Sequence, residues 1–177
     1  IPFISDYHLL ESQVLASSAA SVTFSSLATY AADYDHFQIR VLSRDTRAIS
    51  GANNVLMTFN GDTGSNYRQL QALKGNGSTA SSYTEAQSSS IIPFASPSAN
   101  DTANVFTAAV IDLLDAFNSN KYTTSRTLRG TSVAAAYATQ VVLASGLWLN
   151  TAALTEIKLE PISASFAIGS RFSIYGV

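Results

Sequence analysis

Alternation of apolar and polar residues is the dominant pattern along this chain. In residues 36–41 the apolar Phe37, Ile39 and Val41 are separated by polar side chains, as a strand with one buried face requires. The same period of two recurs in residues 54–59, 156–160 and 171–175. These four segments predict strands whose apolar side chains all enter one core.

Weaker strand patterns fill much of the remaining chain. Residues 105–118 fit either a helix or a buried strand, and we favour a strand because the neighbouring segments are strands. Residues 134–138 are equally ambiguous. The other short candidates are residues 9–15, 21–27, 67–73, 103–114, 122–129, 140–143 and 146–149.

Turn-forming residues separate these segments. Asn60-Gly61 is a strong hairpin signal, because both residue types accept the positive φ of a type I′ turn. Further turns are predicted at residues 62–64, 75–77 and 118–121. The serines of residues 78–90, followed by two prolines, predict a long loop over residues 78–100.

Many short strands with such turns predict an all-β fold. We expect one antiparallel β-sandwich domain, jelly-roll-like, over residues 1–177, with residues 1–8 as an N-terminal extension. No internal repeat or change of composition indicates a second domain.

Composition and charge exclude several function classes. The net charge is −2, without the basic excess that nucleic-acid binding needs. The absence of cysteine excludes disulfides and thiolate metal sites, and no apolar run reaches the roughly 18 residues of a membrane span. Only 12% of residues are charged, while serine, threonine and alanine are abundant, which favours a protein that contacts other protein surfaces or faces a harsh exterior over a cytosolic enzyme.

Candidate catalytic residues are few. Asp62 lies in an Asp-Thr-Gly triplet that resembles the active-site triplet of aspartic proteases, but we favour a Gly-rich turn, because Asn60-Gly61 separates the triplet from the preceding apolar strand. His36 lies beside Asp33 and Asp35 on the polar face of a predicted strand, and no G-x-S-x-G nucleophile motif occurs. We therefore expect no enzyme activity, cofactor or metal, and keep a small hydrolase using Asp62 or His36 as a remote alternative.

A resemblance to a known family rests on two specific segments. Residues 59–67, Phe-Asn-Gly-Asp-Thr-Gly-Ser-Asn-Tyr, and the ending Arg-Phe-Ser-Ile-Tyr-Gly resemble small virion structural proteins of tailed bacteriophages. The order of other segments is similar as well, from the early Ser-Val-Thr-Phe-Ser-Ser-Leu to the Gly-Leu-Trp at Trp148. The similarity extends from about residue 10 to the C-terminus.

The resemblance implies a β-sandwich on the virion, without enzyme activity. Because it covers nearly the whole chain and leaves no stalk, we expect a capsid decoration protein on the outside of the head. Its expected partners are the major capsid protein and, in a homotrimer, further copies of itself. The alternative is a receptor-binding module of a tail or head fibre, whose loop tyrosines and residues 78–90 contact a host surface glycan.

The predicted structural site is the turn within residues 59–67. We expect it to form a hairpin in which Gly61 and Gly64 adopt positive φ and Asp62 accepts backbone N–H groups. Its role is then to set the register of the two strands that it joins, and the partner-binding residues remain unknown. The residues of this predicted hairpin are Asn60, Gly61, Asp62, Gly64, Asn66 and Tyr67.

Overall fold

A computed structural model of the protein describes residues 7–76, 79–132 and 140–177. Within these ranges the chain forms strands and one 3-10 helix, Leu27–Tyr30, and it contains no helix long and apolar enough to span a membrane. The strands are β1 (His8–Val14), β2 (Val22–Phe24), β3 (Phe37–Ser43), β4 (Ala52–Phe59), β5 (Tyr67–Asn76), β6 (Thr79–Ser88), β7 (Ile91–Pro97), β8 (Thr107–Leu114), β9 (Thr123–Thr131), β10 (Gln140–Trp148), β11 (Ile157–Pro161) and β12 (Arg171–Gly176).

The strands form two antiparallel sheets that pack face to face. The larger sheet has the order β1-β12-β3-β8-β9-β10-β5-β6, and the smaller one has the order β2-β11-β4-β7. Alternation places Phe37, Ile39 and Val41 of β3 on the inner face, where they are buried. The core between the sheets also contains the fully buried Phe59 and Phe172. The predicted single-domain antiparallel β-sandwich is therefore confirmed.

Strand pairing settles the predictions for residues 105–118 and for residues 140–149. Residues 105–118 contain strand β8, whose inward side chains alternate with outward ones, so the strand interpretation is confirmed. The two candidates at residues 140–149 are one continuous strand, β10, paired with β9 and β5. The ambiguous residues 134–138 lie outside the described residues.

The predicted loop over residues 78–100 was wrong. Residues 79–88 form β6, an edge strand of the large sheet, because strand pairing uses backbone groups that serine supplies as well as any residue. Residues 91–97 form the largely buried β7. Pro93 is tolerated there because β7 is an edge strand of the small sheet and needs hydrogen bonds on one side only.

The predicted N-terminal extension, residues 1–8, was also too long. Strand β1 begins at His8 and pairs with β12, so the extension cannot reach residue 8. Residues 1–6 lie outside the described part of the chain.

The predicted hairpin at residues 59–67 does not exist as a pairing of its flanking strands. Strand β4 belongs to the small sheet, where it pairs with β11 and β7. Strand β5 belongs to the large sheet, where it pairs with β10 and β6. The Asn-Gly turn reverses the chain locally, but the following residues carry it across the sandwich to the other sheet.

Candidate functional site

The turn after β4 has the conformation that its sequence predicts at its first two residues. Asn60 and Gly61 have φ of 53° and 68°, and the Asp62 N–H donates to the Phe59 carbonyl at 2.9 Å. Gly64 does not have a positive φ, so that prediction was wrong. A Cβ at position 64 would lie 2.9 Å from the side-chain amide nitrogen of Asn66, so a larger residue there requires this side chain to shift.

Asp62 is the centre of a hydrogen-bond cluster. Its Oδ1 accepts the Gly64 N–H at 2.9 Å, which confirms the predicted backbone contact. Its Oδ2 accepts the indole Nε1–H of Trp148 at 2.8 Å and the Asn66 amide at 3.0 Å. These donors, with Trp148 first, hold the pKa of Asp62 below its ordinary value.

Asn60 fastens the turn to residues 153–156. Its Nδ2 donates to the Ala153 carbonyl at 2.9 Å, and its Oδ1 accepts the N–H groups of Thr155 at 2.8 Å and Glu156 at 3.1 Å. Every side-chain hydrogen bond that Asn60 makes within the described residues is to one segment that is distant in sequence. Asn60 is therefore an architectural residue in addition to a turn residue.

Tyr67 lies in the core and is hydrogen-bonded to the segment that crosses between the two sheets. Its hydroxyl accepts the Phe59 N–H at 3.0 Å and donates to the Asp62 carbonyl at 2.9 Å. Its ring stacks on that of Trp148, with centroids 6.5 Å apart. Burial raises the pKa of this phenol to about 12. The predicted site residues thus come together, and each of these contacts supports the fold.

The structure places each of the two catalytic candidates in hydrogen bonds with its own neighbours. Asp62 is occupied by structural donors and a lowered pKa makes it a weak base. The Nδ1 of His36 accepts the Asp115 N–H at 2.9 Å, so the structure joins it to Asp115, whereas no contact with Asp33 or Asp35 is found in the described residues. The described ranges also contain no group of three potential metal ligands.

The tyrosines considered for glycan contact are distributed between several environments. Tyr67 is fully buried, Tyr30 packs against the core, and the Tyr34 hydroxyl contacts His8 Nδ1 at 2.6 Å. Tyr122 is exposed. Tyr137 lies outside the described residues, and the Tyr83 side chain is likewise not described.

The outer face of the large sheet carries the most unusual surface of the molecule. Several of its strands expose large aliphatic side chains, including Leu128 of β9 at 56% and Val141 of β10 at 60% of their area. The strand register joins them into one patch, because Val110 lies opposite Leu128, and Leu128 lies opposite Leu143. With Leu42 of β3, these residues form what we call the apolar patch.

A groove of about 530 Å³ crosses this face from β12 to β9. Its aliphatic part is lined by Leu42, Val110 and Leu128, with the small Ala108 and Gly130 between them. Its other end is lined by arginines and by Tyr175 of β12. The lining residues at this end are Arg40, Arg171, Ser173 and Tyr175.

A ladder of polar side chains borders the groove. Gln38 donates to Asp112 Oδ1 at 2.9 Å, and Arg126 donates to Asp112 Oδ2 at 2.8 Å. Gln38 also accepts the Nε–H of Arg40 at 2.8 Å. Charged and polar groups thus surround an apolar centre, which is the anatomy of many protein–protein interfaces.

Sequence reasoning missed this face, although it contained a signal. Residues 105–111 read as an almost continuous apolar run, which predicts a strand buried on both faces. In the structure only the inner face of β8 is buried, while Val110 and Leu114 are exposed. Apolar residues on both faces of β8 were therefore the sequence signal of an exposed apolar surface. The described residues of the chain cover only one of these faces.

Comparisons with known proteins assign no family. No protein-family model and no curated protein matches the chain. Among solved structures, a variant of alginate lyase Aly36B bound to an alginate tetrasaccharide has 8% identity and a TM-score of 0.32, covering 94% of this chain and 79% of that one. A second variant, bound to a trisaccharide, has 6% identity and a TM-score of 0.30 over 94% and 80%. At these TM-scores the likeness carries no argument about activity.

Proposed function

We propose that this protein is a non-enzymatic structural protein of a bacteriophage virion that decorates the outer surface of the head. The observation that carries this proposal is the apolar patch of Leu42, Val110, Leu128, Val141 and Leu143. Single exposed aliphatic residues are ordinary, but a contiguous group bordered by polar ladders is typical of an interaction surface.

The physical requirements of a decoration protein agree with this surface. Such a protein must bury surface against a preformed shell, and the cost of burial rises with every charged group that loses water. Because only 12% of residues are charged, this chain has little of that cost. The resemblance of residues 59–67 and of the C-terminal strand to virion proteins supplies the particular partner, the major capsid protein.

Binding to heads tests the proposal directly. The purified protein is mixed with undecorated heads of the same phage and sedimented, and the melting temperature of the heads is measured. We expect co-sedimentation and a higher melting temperature. A folded protein that stays in the supernatant would refute the decoration role.

A matched pair of variants tests whether the apolar patch makes the contact. Leu128→Asp places a charge in the patch, whereas Ile162→Asp makes the same kind of change at an apolar residue that is 55% exposed outside it. We expect the first change to abolish binding to heads and the second to leave it intact. Equal binding by both variants would exclude the patch as the contact surface.

Two further parts of the proposal have separate measurements. The homotrimer is tested by light scattering, where a mass of 18.7 kDa would contradict it. The position on the virion is tested by immunogold labelling, where labels confined to the tail or fibres would favour the receptor-binding alternative over head decoration.

A further inference from the structure

Arg40 is held in one orientation at the edge of the groove. Its guanidinium carbon lies 4.3 Å from the ring centroid of Tyr175 and 5.2 Å from that of Tyr7. Its Nε–H is bonded to Gln38, which is itself fixed by Asp112. These contacts leave the two Nη groups of Arg40 without a hydrogen bond to any described residue, so they can bind an external acceptor.

A second arginine lies beside it on the same face. In the β12–β3 register Arg171 is opposite Leu42 and Ser173 is opposite Arg40, so the two arginines are diagonal neighbours. Diagonal neighbours on one face are about 7–8 Å apart. Within the described ranges no carboxylate lies within ion-pair distance of either arginine, whereas Arg126 has Asp112. The two cations therefore lie on one face of the sheet without a counter-charge among the described residues, and an added anion would stabilise them.

The rest of the groove is suited to aliphatic groups. Leu42, Val110 and Leu128 surround the small Ala108 and Gly130. From β12 to β9 the groove crosses three strand spacings, about 14 Å, which equals the length of roughly four extended residues.

We propose that this groove binds an extended acidic-aliphatic peptide segment of the partner protein. Its carboxylates would lie on Arg40 and Arg171, and its aliphatic side chain would lie among Leu42, Val110 and Leu128. This inference rests on the proposed function, because the segment belongs to the head protein that the outer face contacts.

A peptide suits the groove better than a sugar does. Sugar sites stack rings on free aromatic faces, but Tyr175 is the only aromatic residue among the described lining residues, and its ring already stacks on Arg40. The aliphatic walls offer hydrophobic burial rather than the hydroxyl contacts that a sugar needs.

The test uses two blocked pentapeptides and the full chain labelled with ¹⁵N. The acidic probe is acetyl-Asp-Glu-Ala-Leu-Leu-amide, and its neutral match replaces the acids with Asn and Gln. We expect the acidic peptide to shift the amide resonances of β12, β3, β8 and β9, and to bind about three- to fivefold more tightly than the neutral one.

Three variants locate the binding. We expect Arg40→Gln and Arg171→Gln each to weaken the acidic peptide by about twofold, while Lys158→Gln, a charge loss on the other sheet, has no effect. Gly130→Leu should abolish binding of both peptides by filling the groove. It is expected to fold, because a Cβ at this strand position meets no atom within 4 Å and the glycine has no positive φ.

Several results would overturn the inference. Equal affinities for the two peptides, or binding that survives Arg40→Gln and Arg171→Gln together, would remove the role of the arginines. Tighter binding of a tetrameric uronic acid at the same resonances would make the groove a carbohydrate site. Self-association abolished by Gly130→Leu would show that a second copy occupies it.

The two proposals fail separately. Heads that bind the wild type and the double arginine variant equally would leave the decoration role standing and refute the peptide groove. Peptide binding as described, without any binding to heads, would refute the decoration role and leave the chemistry of the groove intact.

Discussion

The carboxylate of Asp62 accepts a hydrogen bond of 2.8 Å from the indole Nε1 of Trp148, a residue 86 positions later in the chain. Asp62 lies three residues after Phe59, the last residue of β4 in the small sheet, and Trp148 is the last residue of β10 in the large sheet. This contact therefore ties the two sheets together where the chain crosses between them. It also explains why a segment with the appearance of a catalytic triplet is part of the framework.

We predict that Asp62→Asn destabilises the protein by about 1–2 kcal/mol. The amide that replaces one carboxylate oxygen presents a donor to the donors of Trp148, Asn66 or Gly64, so one of these contacts is lost. The measurement is the free energy of unfolding in urea. Asp33→Asn, at an exposed position, is the matched control and should change it little. A stable Asp62→Asn protein that no longer binds heads would show instead that this residue is a functional contact.

The same residue predicts how stability depends on acid pH. Because the pKa of Asp62 is lowered by folding from its ordinary value of 3.8, its contribution is present above that value and is lost as the pH falls through the lower folded pKa. We expect the wild type to lose more stability than Asp62→Asn between pH 5 and the acid range. Parallel pH profiles would contradict this expectation.

Tyr67→Phe should cost about 1–3 kcal/mol, because the buried N–H of Phe59 loses its acceptor. The raised pKa of Tyr67 allows a second measurement of its contribution to stability. The neutral phenol is favoured by folding, so its contribution is complete below pH 10 and is lost as the pH rises toward about 12. Spectrophotometric titration should show one tyrosine in the wild type that ionises late, and this late step should be absent from Tyr67→Phe.

Gly61→Ala is expected to destabilise the protein by about 1 kcal/mol through backbone strain alone. Gly61 has a φ of +68°, yet an added Cβ would meet nothing within 4 Å. Gly75→Ala is the control, since its Cβ also has open space and its φ is not positive. Thermal melting of the two variants should differ, and equal melting temperatures would argue against strain at position 61.

Arg44→Lys should destabilise the protein by about 2–3 kcal/mol, because lysine cannot replace a guanidinium that donates to four carbonyls. Those carbonyls belong to residues 99–105, which the arginine gathers at one end of the sandwich. Hydrogen exchange should accelerate in this segment of the variant. Arg171→Lys, an exposed change without such contacts, should leave the exchange unaltered.

Local sequence determined the strands and the turn. Alternation in β3, β4, β11 and β12 places every second side chain in the core, and this periodicity is readable because the strand repeat of two is a local property. The left-handed conformation of Asn60 and Gly61 was equally predictable from the sequence, since it depends only on the conformational freedom of two residues. The sequence did not predict the serine-rich strand β6, because the pairing of β6 with β5 depends on backbone groups that every sequence carries.

Only the tertiary structure decided which sheet each strand joins. A type I′ turn does not require its flanking strands to pair, and here the bonds of Asp62 and Tyr67 to partners across the sandwich carry β5 to the opposite sheet. The outer groove likewise depends on register: Leu42, Leu128 and Arg171 lie on three strands widely separated in sequence, and nothing local makes them neighbours. Sequence determines what one strand buries, while the pairing between distant strands determines what their exposed faces combine to form.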